Sequence, residues 1–191
     1  MKERIIYLSR HGQSQFNVKK LIGGDSALTL EGEKYSYDLN QYFKNNNIDV
    51  KVITSKLIRT IQTAKYFNNT IQLSELNEID SGICDSMTYQ QIEEKYPDEF
   101  NKRKNNKYYY RYPNGESYFD INCRLKKIYQ LIIDTDHDLL IVAHQAVLRV
   151  LISNYIKKNI EEIPYIKVNL NTLYKIKITS TSCELEIISI N

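Results

Sequence analysis

An α/β domain with a mostly parallel sheet sandwiched between helices is the fold class that the sequence predicts, and three observations predict it. Short β-branched apolar runs alternate along the chain with stretches of helical periodicity, the order that lays crossover helices on both faces of a sheet. With 191 residues, 42% hydrophobic and 26% charged, the chain can bury one sizeable core and lacks the composition of a disordered or fibrous protein. No Pro/Gly/Ser linker or internal repeat divides it, so residues 1–191 read as one domain of three layers.

The elements follow in order. RIIYLS at 4–9 sets Ile5, Ile6, Tyr7 and Leu8 in succession, as a buried strand requires. Helical spacing of apolar residues runs over 29–43, then VKVIT at 50–54 reads as a second strand and 57–67 as a second helix. A third helix over 88–96 opens on Thr88 and Gln91, the spacing of a capping box. A fourth spans 116–133, DLLIVAH at 138–144 is the third strand, and helical spacing resumes over 147–156. LYKIKI at 173–178 and LEIISI at 185–190, joined by the polar TSTSCE, read as a hairpin, so part of the sheet is expected to be antiparallel. Five strands in one sheet result. The Asn- and Lys-rich stretches KNNNIDVKVI and NKRKNNK read as compositional habit.

Composition also excludes partners. A net charge of +3 is too small to imply nucleic acid, and no apolar stretch reaches the length of a membrane span. The start MKERIIYLS lacks the pattern of a secretory signal, which points to the cytoplasm. Cys84, Cys123 and Cys183 are odd in number and widely spaced, as reduced thiols are, without the spacing of a zinc site.

In open α/β sheets, working residues gather at the carboxyl ends of parallel strands. Here those ends carry Arg10-His11-Gly12, then Thr54-Ser55 shortly before Arg59, then His144-Gln145. If the strands are parallel neighbours, two histidines and two arginines converge. A neutral imidazole attacks phosphorus without first losing a proton, which suits His11. Arg10 and Arg59 offer planar forks to phosphate oxygens, and His144 offers a further donor. Gly12 lets the backbone come close, and Asn17 donates through its amide. Such a phosphate pocket needs no metal, and no carboxylate cluster suits magnesium or manganese. An alkoxide leaving group requires a proton, and LNEIDSG at 76–82 supplies Glu78 and Asp80, which periodicity does not separate. Tyr108, Tyr109, Tyr110 and Tyr112 read as an aromatic surface segment leading into the Pro113-Asn114-Gly115 turn.

In content and order, RHGQSQFN, SKLIRTIQTA, NEIDSG and VAHQAV resemble the histidine phosphatase superfamily, the phosphoglycerate mutase-like enzymes. EIDSGICDSMTYQQIEEKYPDEF, YRYPNGESYFDINCRL and AHQAVLRVLISNY with IPYI further resemble the fructose-2,6-bisphosphatase domain of the bifunctional 6-phosphofructo-2-kinase/fructose-2,6-bisphosphatases, over residues 5 to about 178. The resemblance implies a phosphoglycerate mutase-like fold and a cofactor-free phosphatase acting on a phosphorylated sugar. It makes His11 the phosphohistidine, puts Arg10, Asn17, Arg59 and His144 around the transferred phosphate, and selects Glu78 as acid and then base. It places sugar-phosphate contacts on Gly23, Tyr89, Arg103, Lys107, Tyr118, Gln145 and Arg149, with Arg103, Lys107 and Arg149 as a second cationic pocket for a 6-phosphate. Gln13 stands where that family usually has glutamate, so a change in local charge, with an effect on rate, is expected. No GxxxxGK[ST] pattern occurs, so kinase activity is not expected of this chain, and a covering C-terminal tail is expected to be short or absent. A phosphoglycerate mutase or a broad phosphate-ester phosphatase shares the same nucleophile. A non-catalytic scaffold that binds phosphorylated ligands is the alternative of another class.

Overall fold

The computed structural model describes residues 4–179 and 181–190. One six-stranded sheet organises them: β1 (Arg4–Arg10), β2 (Lys51–Thr54), β3 (Ile71–Gln72), β4 (Leu139–Ala143), β5 (Thr172–Ile178) and β6 (Cys183–Ser189). Their spatial order is β3-β2-β4-β1-β5-β6. β2 pairs in parallel with β3 and β4, and β4 with β1, while β5 is antiparallel to both β1 and β6. β5 alone therefore runs against the rest, as the hairpin reading requires. One residue of the connecting TSTSCE segment, residue 180, lies outside the described residues.

Alternation along the central strand explains the three layers. Leu139, Ile141 and Ala143 of β4 join Ile6, Leu8 and Ile53 in a core with α6 (Tyr118–Arg124), α7 (Lys126–Asp134) and α8 (Gln145–Ile156). Leu140 and Val142 point the other way and join Tyr7, Val52 and Leu173 against Tyr35, Leu39 and Phe43 of α2 (Leu30–Asn45). Every residue of β4 is buried, so both faces of that strand are core. Burying each Leu or Ile side chain completely contributes roughly 1.5–3 kcal/mol.

β3, α1 (Gln15–Lys19) and α5 (Pro97–Asn105) are elements that the sequence reading lacks, and they have a common cause: none buries a residue. β3 is two exposed residues, too short and too polar in its surroundings to show alternation. Neither α1 nor α5 carries an apolar stripe. The helix expected over 116–133 breaks at Leu125 into α6 and α7. α3 (Ile58–Thr63) is shorter than expected, and α4 (Tyr89–Lys95) begins at the Thr88–Gln91 capping box that the spacing predicts.

Strand register sets the site. Arg10 lies opposite Ala143 and Thr54 opposite Val142, so His11, Ser55 and His144 leave the sheet at one level. His11 still holds to the ladder, its amide donating to Ala143 O at 3.0 Å. The close approach that Gly12 permits is to protein rather than to a phosphate: a Cβ there would meet Gly32 O at 2.5 Å, where the start of α2 packs backbone against backbone. Gln13 secures that contact, its Oε1 accepting the hydroxyl proton of Thr29, the N-cap of α2, at 2.8 Å. Gln13 thus serves a helix cap and lines no part of the cavity described next.

Candidate active site

Beyond the carboxyl ends of β1 and β4 lies a cavity of about 270 Å³. Arg10, His11, Asn17, Arg59 and Glu78 are part of its lining, and so are Gly23, Tyr89, Arg103, Tyr118, Gln145 and Arg149. His144 and Lys107 are the two expected site residues that do not reach its surface.

His11 is 3% exposed. Its Nδ1 lies 2.7 Å from Gly12 O; a carbonyl only accepts, so Nδ1 carries the proton and the lone pair resides on Nε2. Burial, with Arg59 and Arg10 close by, holds its pKa well below the ordinary histidine value. The ring is therefore neutral at neutral pH, with one fixed nucleophilic nitrogen.

His144 is wholly buried, with its ring centroid 5.2 Å from that of His11. Arg59 Nε donates to its Nδ1 at 3.2 Å, which leaves the proton on Nε2 to be donated to Ser55 Oγ at 2.8 Å. The sequence reading gave His144 a donor role toward phosphate. In the structure both ring nitrogens are engaged, because a guanidinium can only donate and so fixes the tautomer. His144 thus contacts Arg59 and Ser55, and its own pKa lies well below the ordinary value through burial and then the Arg59 charge.

Arg59, at 4% exposure, also donates through Nη1 to Gly24 O at 2.8 Å and lies 3.8 Å from the Asp25 carboxylate. Arg10 donates through Nη1 to Val168 O at 3.3 Å, while its buried Nε has no protein partner among the described residues. A buried, unpaired guanidinium donor is costly unless an anion meets it. Burial presses both guanidinium pKa values down, with the Glu78 charge opposing. Asn17 Oδ1 accepts from the Ser14 amide at 3.0 Å in the capping box that opens α1, which leaves Nδ2 as the donor available to the cavity.

Glu78 and Asp80, inseparable by pattern, are separated by geometry. Glu78 Oε1 accepts from the Ile79 amide at 2.9 Å and from the Ala146 amide, in the first turn of α8, at 3.2 Å. Among the described residues both of these bonds fall on Oε1, and none is seen on the other oxygen. Asp80 caps the Gly82 amide at 2.8 Å and lines a neighbouring depression, away from His11.

The far end is cationic too. The Arg103 guanidinium lies between two rings, 5.0 Å from the Tyr89 centroid and 5.5 Å from that of Tyr112, and donates to Tyr89 Oη at 3.1 Å. Arg149, on α8, donates to Ile166 O and Tyr118 Oη, each at 2.9 Å. Lys107 turns aside: Nζ donates to Pro164 O at 3.2 Å and stands 4.5 Å from the Tyr165 ring centroid. Its pKa is lowered to about 8, first by burial and then by Arg103 and Arg149. The aromatic surface segment expected at 108–112 is half interior, with Tyr108 and Tyr112 buried and Tyr109 exposed. Tyr112 was missed as a site residue because its stacking on Arg103 is a tertiary contact. Lys20, at the C-cap of α1 with φ 56°, also lines the cavity and left no mark in the residue pattern. Gly23 sits at φ 69°, in the left-handed region where a side chain is strained, and a Cβ there would fall 1.8 Å from Asp85 Oδ1, so the Asp85 carboxylate would have to move as well. Among the described residues no group of three or more His, Cys, Asp or Glu side chains gathers as a metal site needs.

The sequence model of the histidine phosphatase superfamily (branch 1) matches residues 6–191. The chain belongs to this superfamily. Among relatives of the histidine phosphatase are the 6-phosphofructo-2-kinase/fructose-2,6-bisphosphatase of Aquarana catesbeiana, 43% identical over 190 residues, and the human 6-phosphofructo-2-kinase/fructose-2,6-bisphosphatase 1, 42% identical over 190 residues. Each alignment covers 98% of this chain but 40% of the relative, so the chain spans about two fifths of their length. The alpha-ribazole phosphatase of Shigella flexneri has the same fold, with TM-score 0.86, 23% identity and coverage of 97% of this chain and 96% of its own. A mycobacterial glucosyl-3-phosphoglycerate phosphatase matches at TM-score 0.84 and 18% identity, over 100% of both chains.

Proposed function

We propose that this histidine phosphatase hydrolyses fructose 2,6-bisphosphate to fructose 6-phosphate and phosphate, in the cytoplasm and without metal, through a phosphohistidine on His11. The observation that carries the reading is a single cavity with a neutral nucleophile and two arginines at one end and a clamped arginine at the other. A bisphosphate needs charge compensation at both ends; a plain ester does not, and a glycerate phosphate sets only a carboxylate, close to its phosphate, at the other end. The relatives' names join a kinase and a bisphosphatase, and the superfamily match favours the second activity for this chain.

In the first step His11 Nε2 attacks the 2-phosphoryl phosphorus as the bond to the sugar oxygen breaks. Glu78 gives its proton to that oxygen. Arg10, Arg59 and the Asn17 amide meet the charge on the equatorial oxygens, where positioning and electrostatics dominate. Glu78, now ionised, takes a proton from water as the water displaces His11, releasing phosphate and restoring both groups. Arg103 and Arg149 hold the 6-phosphate, with Tyr118 and Gln145 beside the sugar. No helix of the described residues is long and apolar enough to cross a membrane.

Steady-state rates on fructose 2,6-bisphosphate, fructose 1,6-bisphosphate, 3-phosphoglycerate and an aryl phosphate, without added metal, test the assignment. The first substrate is expected to have the highest kcat/KM; a preference for 3-phosphoglycerate with isomerisation would overturn it. Arg103→Ala is expected to raise KM for the bisphosphate about 10- to 100-fold, the loss of roughly 1.5–3 kcal/mol of hydrogen bonding to a charged group. Aryl phosphate turnover should be spared, and equal losses on both would remove the second pocket.

Lys107 supplies a pH signature. Its ammonium is charged below about pH 8 and lost above it, so the positive field at the 6-phosphate end falls as pH rises through that value. KM for the bisphosphate is expected to climb severalfold between pH 7 and 9 in the parent and to stay level in Lys107→Met. A parallel climb in both would exclude Lys107 as the source.

A further inference from the structure

Arg124, at the end of α6, is absent from the His11 cavity yet grips the segment that bears Glu78. Nη1 donates to Glu75 O, and Nη2 to Asn77 O at 2.7 Å and Glu78 O at 3.4 Å. The same guanidinium forms a fork with Glu116, Nε to Oε1 at 2.9 Å and Nη2 to Oε2 at 3.1 Å. Glu116 closes the circuit on the far side of Glu78: Oε2 accepts from the Asp80 amide at 3.1 Å, and its own amide donates to Asp80 O at 2.8 Å.

The segment needs such a grip. Residues 77–81 lie between two short 3₁₀ turns, Ser74–Leu76 and Gly82–Cys84, and belong to no strand or helix. Backbone groups outside regular structure must find partners elsewhere, and here the Asn77 and Glu78 carbonyls and the Asp80 amide find one side-chain pair. A guanidinium suits the task because its fixed, planar donors reach several acceptors at once; an ammonium is a point charge on a flexible stem. The pair is also sheltered, with side chains 20% and 25% exposed, so solvent screens it less than a surface pair.

We propose that Arg124 and Glu116 are positioning residues that aim the carboxyl group of Glu78 at the leaving oxygen and, in the second step, at water. The proposal rests on Glu78 being the acid–base group. It separates positioning from mere stability because only poor leaving groups need that proton: a sugar alkoxide does, 2,4-dinitrophenolate does not.

The experiment measures both leaving groups in the full chain, using kcat/KM on fructose 2,6-bisphosphate and first-turnover release of 2,4-dinitrophenolate from its phosphate ester. Arg124→Ala is expected to lower the first about 10- to 100-fold, the scale of a misplaced catalytic group, and the second by less than about threefold. Arg124→Lys should recover only part of the loss, since one ammonium cannot reach three carbonyls. Combined with Glu78→Gln, Arg124→Ala should add little, because a clamp without its carboxyl has nothing to aim. If Arg124→Ala does not fold, Glu116→Gln carries the same comparison, with a smaller loss of the same selectivity. Equal losses on both leaving groups, or fully additive losses in the double variant, would overturn the positioning role. Should Glu78→Gln alone show no leaving-group selectivity, the acid–base assignment fails and the clamp's role with it.

Discussion

His11→Ala is expected to reduce phosphate release from fructose 2,6-bisphosphate to background, a loss on the order of 10⁴-fold or more, because the covalent route disappears. No neighbouring group takes over. His144 is the nearest imidazole, but its Nδ1 is committed to Arg59 and its Nε2 to Ser55. Arg10, Arg59 and Asn17 do not depend on His11 for their placement, so the variant should still bind the substrate. Equilibrium binding and steady-state release, measured on the same preparation, separate these outcomes. Retention of a tenth or more of the parent rate would exclude the phosphohistidine.

Glu78→Gln carries the second largest effect. Glutamine keeps an oxygen to accept from the Ile79 and Ala146 amides, so the loop should hold its shape. It cannot give up or take up a proton. Turnover of the sugar ester is expected to fall roughly 10²- to 10⁴-fold, the usual range for general acid–base catalysis. Asp80→Asn in parallel should leave the rate within about a factor of two, since Asp80 is turned to the Gly82 amide outside the cavity; that figure reflects an ordinary surface substitution. A large loss in Asp80→Asn with none in Glu78→Gln would exchange their roles.

What the residues alone disclosed was the part built from local runs. Ile5 to Leu8 and Leu139 to Val142 announce central strands, and the rule about their carboxyl ends then brings His11, Arg59 and His144 together. What stayed hidden depends on contacts far apart in the chain. The tautomer of His144 is set by Arg59, 85 positions away, and the Ala146 amide that distinguishes the surroundings of Glu78 from those of Asp80 lies 68 positions away. α5 shows a third kind of silence. It lies across NKRKNNK, which read as compositional habit, and without an apolar face it has no periodicity to detect. Its signal was electrostatic: Pro97 at the first position, Asp98 and Glu99 in the first turn, then Lys102, Arg103 and Lys104 in the last, an order that complements the helix dipole. Arg103 entered the site by resemblance alone; its stacking between Tyr89 and Tyr112 supplies the physical reason.

The most direct test is to trap the intermediate. Fructose 2,6-bisphosphate labelled with ³²P at the 2-phosphate, mixed with the protein and quenched in alkali within milliseconds, should leave an acid-labile, base-stable label on the protein. After digestion that label is expected on the peptide containing His11, rising to a steady level as turnover begins and absent from His11→Ala. Turnover at the parent rate with label on another peptide, or with none at any quench time, would contradict the account.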